Sequence, residues 1–354
     1  MQYILIKGSY HVVKQSPDAD SVKFKATNAA LWQQVDTDNR AIFDQKLTAE
    51  QGAVTLRLQG IDALETHYTA PGVPTPTDVA GLTSTTLTRP AAASYSQLSS
   101  LARWSADKLL EMLGVTQVRW RSLFGSSQYI TEARIGSGAD SVVVKDKWQD
   151  QIPGYIVTGD VELNGRPIAW VFPGTTTRND GAALTSSDLA DMIDQSVNYR
   201  LLRGGLVYPY YFMTLSSSLR QRLIAAVQDA QANAQSLDQA LQPSLWRLDR
   251  STTGLPAARM SEIAANTALY PYLFRRLVKH YYGQQLDAYW NALRTQATTQ
   301  PASDVLTLDG FFASSNPYVF VISTQDFVRL GDVVEISGGM LKMNKSPNDL
   351  VFLS

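Results

Sequence analysis

The chain has 354 residues, a formal net charge of −1 at pH 7 and a hydrophobic fraction of 44%, which is enough apolar material for one large or two ordinary globular domains. It contains no cysteine, which excludes disulfide bonds, thiolate metal sites and cysteine nucleophiles. Because the overall charge is close to zero, any nucleic-acid partner must be bound by a local patch of basic residues.

Residues 1–14 contain an apolar run that is too short for a signal peptide, and no small-residue cleavage site follows it. No stretch of the sequence approaches the roughly 18 apolar residues of a membrane span. The sequence therefore predicts no membrane partner and a cytoplasmic protein by default, with secretion left open if a leader has been removed. It does not indicate an oligomeric state.

Strands and irregular segments alternate in the first part of the chain. Strands are predicted by alternating apolar and polar residues at 1–25, around a turn at 16–21, and again at 54–61 and 115–120. Irregular segments are predicted at 26–52, 69–96 and 123–152, which are polar, rich in Thr, Pro and Ser, or weakly patterned. Helical spacing predicts one helix at 99–113, which Gly114 ends.

Helices and short strands are predicted in the second part of the chain. The Asn-Gly pair at 164–165 indicates a hairpin between strands at 155–161 and 168–172. The remaining predicted elements are helices at 187–202, 217–237 and within 259–297, followed by short strands within 304–353. Composition changes near residue 250, so residues 251–354 are interpreted as an appended α+β region of unknown role.

Acids and arginines at a few positions suggest phosphoryl chemistry. Carboxylate oxygens suit a hard cation such as Ca²⁺, and paired arginines hold phosphate oxygens and stabilise the charge of a transition state. A glutamate beside an attacking water can act as a general base. The residues in question are Asp18, Asp20, Arg57, Asp62, Glu65 and Arg166.

Five segments, in the same order, resemble the thermonuclease (staphylococcal-nuclease-like) family. PDADSV at 17–22 resembles its D-G-D-[ST]-[VI] turn, and RLQGIDALE at 57–65 resembles its R-L-x-G-I-D-x-P-E signature. NGRPIAWVF at 164–172 resembles its G-R-x-x-A-x-V strand, and SVNYRLLRGGL at 196–206 its V-N-x-x-L-[VL]-x-x-G-L helix end. The Ala-rich helix at 217–237, followed by Leu245-Trp246, resembles the closing helix and G-[LI]-W of the family.

This resemblance implies an α+β protein built on an OB-fold, a five-stranded β-barrel with packed helices, over residues 1–250. It implies Ca²⁺-dependent hydrolysis of DNA or RNA phosphodiesters that leaves 3′-phosphates. The implied roles are Ca²⁺ ligation by Asp20, Asp62 and the carbonyl of Ala63, base catalysis by Glu65, phosphate binding by Arg57 and Arg166, and nucleotide contacts by Tyr211 and Tyr208.

The sequence departs from the family pattern at Leu163 and Asn164, which precede the Gly165-Arg166 pair, and at two positions of the predicted metal loop and turn. Ala19 replaces the turn glycine, which can reshape the metal loop, and Leu64 replaces the proline between the two acids, so the turn is less restricted. Three long insertions, at about 26–52, 66–97 and 121–152, interrupt the barrel. Residues 251–354 have no counterpart in the resemblance.

Alternative interpretations stay open for several of these residues. The barrel can be an inactive nucleic-acid-binding or interaction module, and residues 251–354 can mediate assembly. Asp18 is interpreted as a turn former, and His67 as structural or exposed. The aromatic residues at 270–290 are interpreted as core with a solvated basic edge that includes Arg275 and Arg276, rather than as a nucleic-acid surface.

Overall fold

The computed structural model describes residues 2–122, 128–234, 244–256, 260–298 and 306–353. The two strands predicted near the N-terminus are confirmed as β1 (Tyr3–His11) and β2 (Ser21–Ala26). Between β2 and β3 (Ala53–Leu58) the chain forms a 3-10 helix (Ala29–Gln34) and helix α1 (Arg40–Ala49). The prediction of an irregular segment at 26–52 is therefore wrong. Helix α1 buries Phe43 and exposes most of its other side chains, which leaves too weak an apolar period to indicate a helix.

The polypeptide turns sharply after β3 at Gln59 and Gly60, and β4 (Ile61–Asp62) follows. Gly60 has a φ of +78°, and an added Cβ there would lie 2.5 Å from the Leu223 side chain. The turn therefore depends on glycine both for its backbone conformation and for its close approach to a neighbouring helix.

A long loop separates β4 from the next helix and confirms most of the irregular segment predicted there. Its base is closed by the short antiparallel pair β5 (Tyr68–Thr69) and β6 (Ser94–Tyr95). The predicted helix is confirmed as α2 (Ser99–Met112). A three-stranded sheet then follows, formed by β7 (Val115–Ser122), β8 (Gln128–Ile135) and β9 (Val142–Val144), with residues 123–127 outside the described residues.

The predicted hairpin is confirmed as β10 (Ile152–Val161) and β11 (Pro167–Pro173). After β12 (Ala183–Leu184), the helix predicted at 187–202 is divided into α3 (Ser186–Ala190), a 3-10 helix (Ile193–Gln195) and α4 (Val197–Arg203). The break occurs at Ser196, which adopts an extended conformation and accepts a hydrogen bond from the Tyr199 amide as the N-cap of α4. Two short strands, β13 (Tyr208–Pro209) and β14 (Tyr211–Phe212), come next.

The remaining elements combine helices and short strands, as predicted, except that positions 235–237, 259, 304 and 305 of the predicted elements lie outside the described residues. The helices are α5 (Ser217–Ala234), α6 (Leu245–Leu248), α7 (Met260–Asn266), α8 (Pro271–Thr295) and α9 (Leu308–Phe312). The strands are β15 (Leu255–Pro256), β16 (Tyr318–Val321), β17 (Asp326–Arg329), β18 (Val334–Ser337), β19 (Met340–Met343) and β20 (Leu350–Phe352).

Five strands close into a mixed β-barrel, which makes the protein α+β and is consistent with an OB-like barrel. Their order is β1-β2-β3-β11-β10, and β10 pairs back onto β1. Strands β3 and β11 are parallel, and the other pairs are antiparallel. Large buried side chains such as Tyr10, Phe24 and Trp170 belong to the barrel core. None of the described helices is long and apolar enough to cross a membrane.

A second apolar core lies around helix α8 and is shared between the two regions of the chain. It contains Phe274 and Leu277 of α8, but also Leu64, Leu101 and Tyr208 from the first 250 residues. Strand β14 pairs in parallel with β20 at the C-terminal end of the chain. Residues 251–354 therefore complete a core to which the barrel region contributes.

Candidate active site

Strand register brings three of the predicted site residues to one end of the barrel. Arg57 of β3 lies opposite Ser21 of β2, which follows Asp20 directly, and opposite Ile168 of β11, two residues after Arg166. The Leu58 amide also donates to the Asp20 carbonyl at 2.9 Å. The barrel topology, rather than closeness in sequence, therefore groups these side chains.

Arg57 binds the two acids that the resemblance implies as metal ligands. Its Nη1 lies 2.5 Å from Asp20 Oδ2, and its Nη2 lies 2.7 Å from Asp62 Oδ1. The Ala63 amide donates to the same Asp20 oxygen at 3.0 Å, so this residue presents its N–H to the acid. The Asp62 side chain is fully buried, and Arg57 is 14% exposed. The arginine consequently bridges both acids where water has little access.

A second arginine, Arg275 of helix α8, completes the cluster and was not predicted. Its Nη2 lies 2.7 Å from Asp62 Oδ2, while its Nη1 lies 3.2 Å from Asp62 Oδ1 and 2.6 Å from Glu65 Oε1. The interpretation of Arg275 as part of a solvated edge is wrong, and so is that of Arg276, which is 7% exposed. The interpretation of the neighbouring aromatic residues as core is confirmed for Tyr270, Phe274 and most others of the stripe.

The arginines and the burial of the acids shift the acid pKa values in opposite directions. Burial tends to raise the pKa of Asp62, but Arg275 and Arg57 together hold it below its usual range. Burial raises the pKa of Glu65 to about 7, with a contribution from Asp18 and against the effect of Arg275. Burial and the nearby Asp20 likewise raise the pKa of Asp18 to about 7.

Asp18 is more than a turn former. Its carbonyl accepts the Ser21 amide at 3.2 Å, as expected of the turn, but its carboxylate accepts a hydrogen bond from the Thr66 hydroxyl. His67 Nδ1 lies 2.7 Å from the same hydroxyl and 3.7 Å from Asp18 Oδ1. Burial lowers the pKa of His67, and its interpretation as structural or exposed stays a prediction.

One cleft of about 1360 Å³ is lined by most of the charged side chains of the cluster and also by Arg166 and Tyr210. The charged side chains are Asp18, Asp20, Arg57, Glu65 and Arg275. Arg166 is bound by Glu162 through two hydrogen bonds, one of them from Nη2 at 3.1 Å, so it enters the cleft as half of an ion pair. Among the described residues, seven carboxylates and three arginines line the cleft. The cleft is therefore predominantly acidic.

The prediction of nucleotide contacts by Tyr208 and Tyr211 requires correction. Both rings are fully buried, and their hydroxyls donate to Asp249 at 2.7 Å and to Asn348 at 2.8 Å. The residue between them that faces the cleft is Tyr210, whose ring centroid lies 5.8 Å from the Arg57 guanidinium carbon. The short strands β13 and β14 turn the two flanking tyrosines towards the interior, so of these three tyrosines only Tyr210 lines the cleft.

Comparisons with known proteins found no matching family model and no matching curated protein. The likeness to the thermonuclease family therefore stays a resemblance in the five sequence segments described above.

The carboxylates of the cluster do not fit a Ca²⁺ ion in the arrangement described. Both oxygens of Asp62 accept arginine N–H groups, and Asp20 Oδ2 accepts one from Arg57 and one from the Ala63 amide. Ca²⁺ requires several oxygen ligands within about 2.3–2.6 Å. Within the described part of the chain, no group of three or more His, Asp or Glu side chains is placed to hold a metal ion.

Proposed function

We propose that the protein is a phosphodiesterase that hydrolyses DNA or RNA in the cleft at the end of its OB-like, nuclease-like barrel. The observation that supports this proposal most directly is the convergence of Arg57, Arg275 and Glu65 on the floor of one cleft. Guanidinium groups match the geometry of phosphate oxygens, and a carboxylate beside them can receive a proton from water.

In the proposed reaction, Glu65 removes a proton from a water molecule while the water oxygen forms a bond to phosphorus. The bond from phosphorus to the 5′ oxygen breaks, which leaves a 3′-phosphate, and the leaving oxygen takes up a proton from solvent. Arg57 holds a non-bridging oxygen and stabilises the added negative charge. Arg166 lines the same cleft and contacts the phosphate after it separates from Glu162. The resemblance implies a Ca²⁺ requirement, but the hydrogen bonds of Asp20 and Asp62 do not fit that ion, and no step of this reaction depends on it.

Cleavage of labelled single-stranded DNA and RNA oligonucleotides tests the proposal. We expect Glu65→Gln to reduce the cleavage rate about 100-fold or more, because general-base catalysis typically contributes that factor. Glu111→Gln, at an exposed glutamate paired with Lys108 on α2, is the matched control and should cleave normally. Full activity of Glu65→Gln, or no cleavage by the unmodified protein with or without divalent ions, would overturn the proposal.

A second candidate function is a nucleic-acid-binding or interaction module without catalysis. The excess of carboxylates over arginines in the cleft favours the interaction module, because an acidic surface does not concentrate polyanionic DNA or RNA, whether the protein cleaves the nucleic acid or only binds it. The same oligonucleotides distinguish the two functions. Saturable binding without any cleavage product would favour the module, and product formation that depends on Glu65 would exclude it.

A further inference from the structure

The position of Arg275 differs from that of an ordinary surface arginine. It begins on helix α8, 210 residues after Glu65 in the sequence, and its guanidinium reaches between Asp62 and Glu65. Its side chain is 22% exposed, so it borders the cleft while it is bound to both acids. A single cationic group thus connects the carboxylate of Asp62, at the end of β4, with that of Glu65, three residues later.

We propose that Arg275 is the resident cation of this site and that it takes the place of a divalent metal ion. The proposal rests on the proposed function for its catalytic consequence, but its ion-binding consequence can be measured separately. In this arrangement the C-terminal region supplies a functional group to the site on the barrel.

The hydrogen bonds of Asp62 support this assignment. Its Oδ1 accepts from Arg57 and Arg275, and its Oδ2 accepts from Arg275. A metal ion could reach these oxygens only after Arg275 had moved away, which would also separate Arg275 from Glu65. Removing a partner from a buried acid is strongly unfavourable, so the arginine and the ion compete for one position.

The second apolar core holds Arg275 in this position. Its neighbours in the helix, Phe274 and Leu277, are fully buried, and Tyr270 at the start of α8 is 1% exposed. A guanidinium group on a helix fixed in this way is pre-organised and cannot lose its charge at ordinary pH. Each guanidinium has five N–H donors, and Arg275 uses three hydrogen bonds on Asp62 and Glu65. The remaining donors can bind a phosphate oxygen.

The chemical consequence is that the arginines and Glu65 have separate roles and that the reaction needs no metal ion. Arg275 and Arg57 would bind the non-bridging oxygens and stabilise the charge that develops on them. An arginine cannot ionise a water molecule as a metal ion does, so proton removal from the attacking water falls to Glu65. The hydrolysis should therefore continue in the presence of a chelator.

Thermal unfolding with CaCl₂ as the probe tests the assignment on the full-length chain. We expect the midpoint of the unmodified protein to be insensitive to CaCl₂. In Arg275→Met, the acids lose their resident cation, and CaCl₂ should raise the midpoint by about 3–4 °C at a hundredfold excess over Kd. Arg294→Met removes the same charge from the exposed end of α8, where this arginine pairs with Asp78, and should gain no response.

If Arg275→Met does not fold, ion binding by the unmodified protein can be measured instead, by the luminescence of bound Tb³⁺. Arg275→Lys keeps the positive charge but not the paired donors, and we expect it to lose cleavage activity at least tenfold without any gain of activity from Ca²⁺. Saturable binding of Ca²⁺ or Tb³⁺ by the unmodified protein, abolished by Asp62→Asn, would overturn the assignment. Absence of cleavage by every variant would refute the proposed function and leave the ion-binding result as the test of Arg275.

Discussion

Asn198 offers the most direct test of how the fold positions the site. It is the second residue of helix α4, inside the V-N-x-x-L segment of the resemblance. Its side chain is fully buried and accepts a hydrogen bond from the Val171 amide at 3.0 Å. Its Nδ2 donates to the Gln59 and Ala169 carbonyls, each at 3.0 Å. One side chain thus joins α4 to the barrel strand β11 and to the turn between Arg57 and the acids.

Asn198→Ala removes these three bonds, but it does not leave three unpaired groups. The Ala169 carbonyl retains a hydrogen bond from the Gln59 amide at 2.9 Å. The buried Val171 amide and the partly buried Gln59 carbonyl lose their partners, and each such loss costs about 1–3 kcal/mol. Since water can reach the Gln59 carbonyl, we expect a total loss of about 2–4 kcal/mol in the free energy of unfolding.

Calorimetry and activity together check this estimate. With an unfolding entropy of about 2.1 cal/mol/K per residue, the loss lowers the unfolding midpoint by about 3–5 °C. Asn266→Ala, at an exposed asparagine with one bond to the Glu262 carbonyl, is the matched control and should change the free energy by less than about 0.5 kcal/mol. Equal losses in the two variants would refute the reasoning. The loosened Gln59 turn should also lower the cleavage rate of Asn198→Ala.

Two further predictions concern buried charges. Arg57→Met leaves Asp20 and Asp62 without this partner and should lower the free energy of unfolding, measured by urea denaturation, by about 3–5 kcal/mol. Arg166→Met removes a partly exposed pair and should cost at most about 1 kcal/mol. Similar losses in the two variants would contradict the burial argument. Burial raises the pKa of Asp249 above its usual value of 3.8. The folded state therefore binds more protons than the unfolded state, and stability falls as the pH rises from the unfolded-state pKa through the folded-state pKa. Asp249→Asn should therefore be more stabilising at pH 8 than at pH 4, and a pH-independent difference between the two proteins would rule this out.

Local patterns were sufficient to predict the five strands of the barrel, whereas its closure was expected from the family resemblance. Strand alternation and the Asn-Gly turn identify β1, β2, β3, β10 and β11 within a few residues, because each strand has one face in the barrel core. The sheet of β7, β8 and β9 was predicted only in part. Val142 and Val143 of β9 are exposed, so this strand carries no alternation to indicate it.

The grouping of Asp20, Arg57, Asp62 and Glu65 was predicted from motif resemblance, but their pairing was not. A motif specifies which side chains are present and says little about partners from distant segments. The motif did not indicate Arg275 and Tyr210, because their orientation depends on packing against the second apolar core. The arginines within the aromatic stripe were the available signal, since a charged residue inside an otherwise buried helical face requires a partner.

The leucine at position 64 and the C-terminal region explain each other. Leu64, where the family has proline, is 1% exposed and lies in the second core with residues of α8. The next residue, Glu65, binds Arg275 of the same helix, and its carbonyl accepts the Gln97 amide at 2.7 Å. The Gln97 side chain in turn donates to the Leu269 carbonyl. The loop that carries Glu65 is thus fixed by side-chain packing and long-range hydrogen bonds instead of by a proline ring. The same contacts that fix it bring a cation to its acids, so the appended region is structurally inseparable from the site.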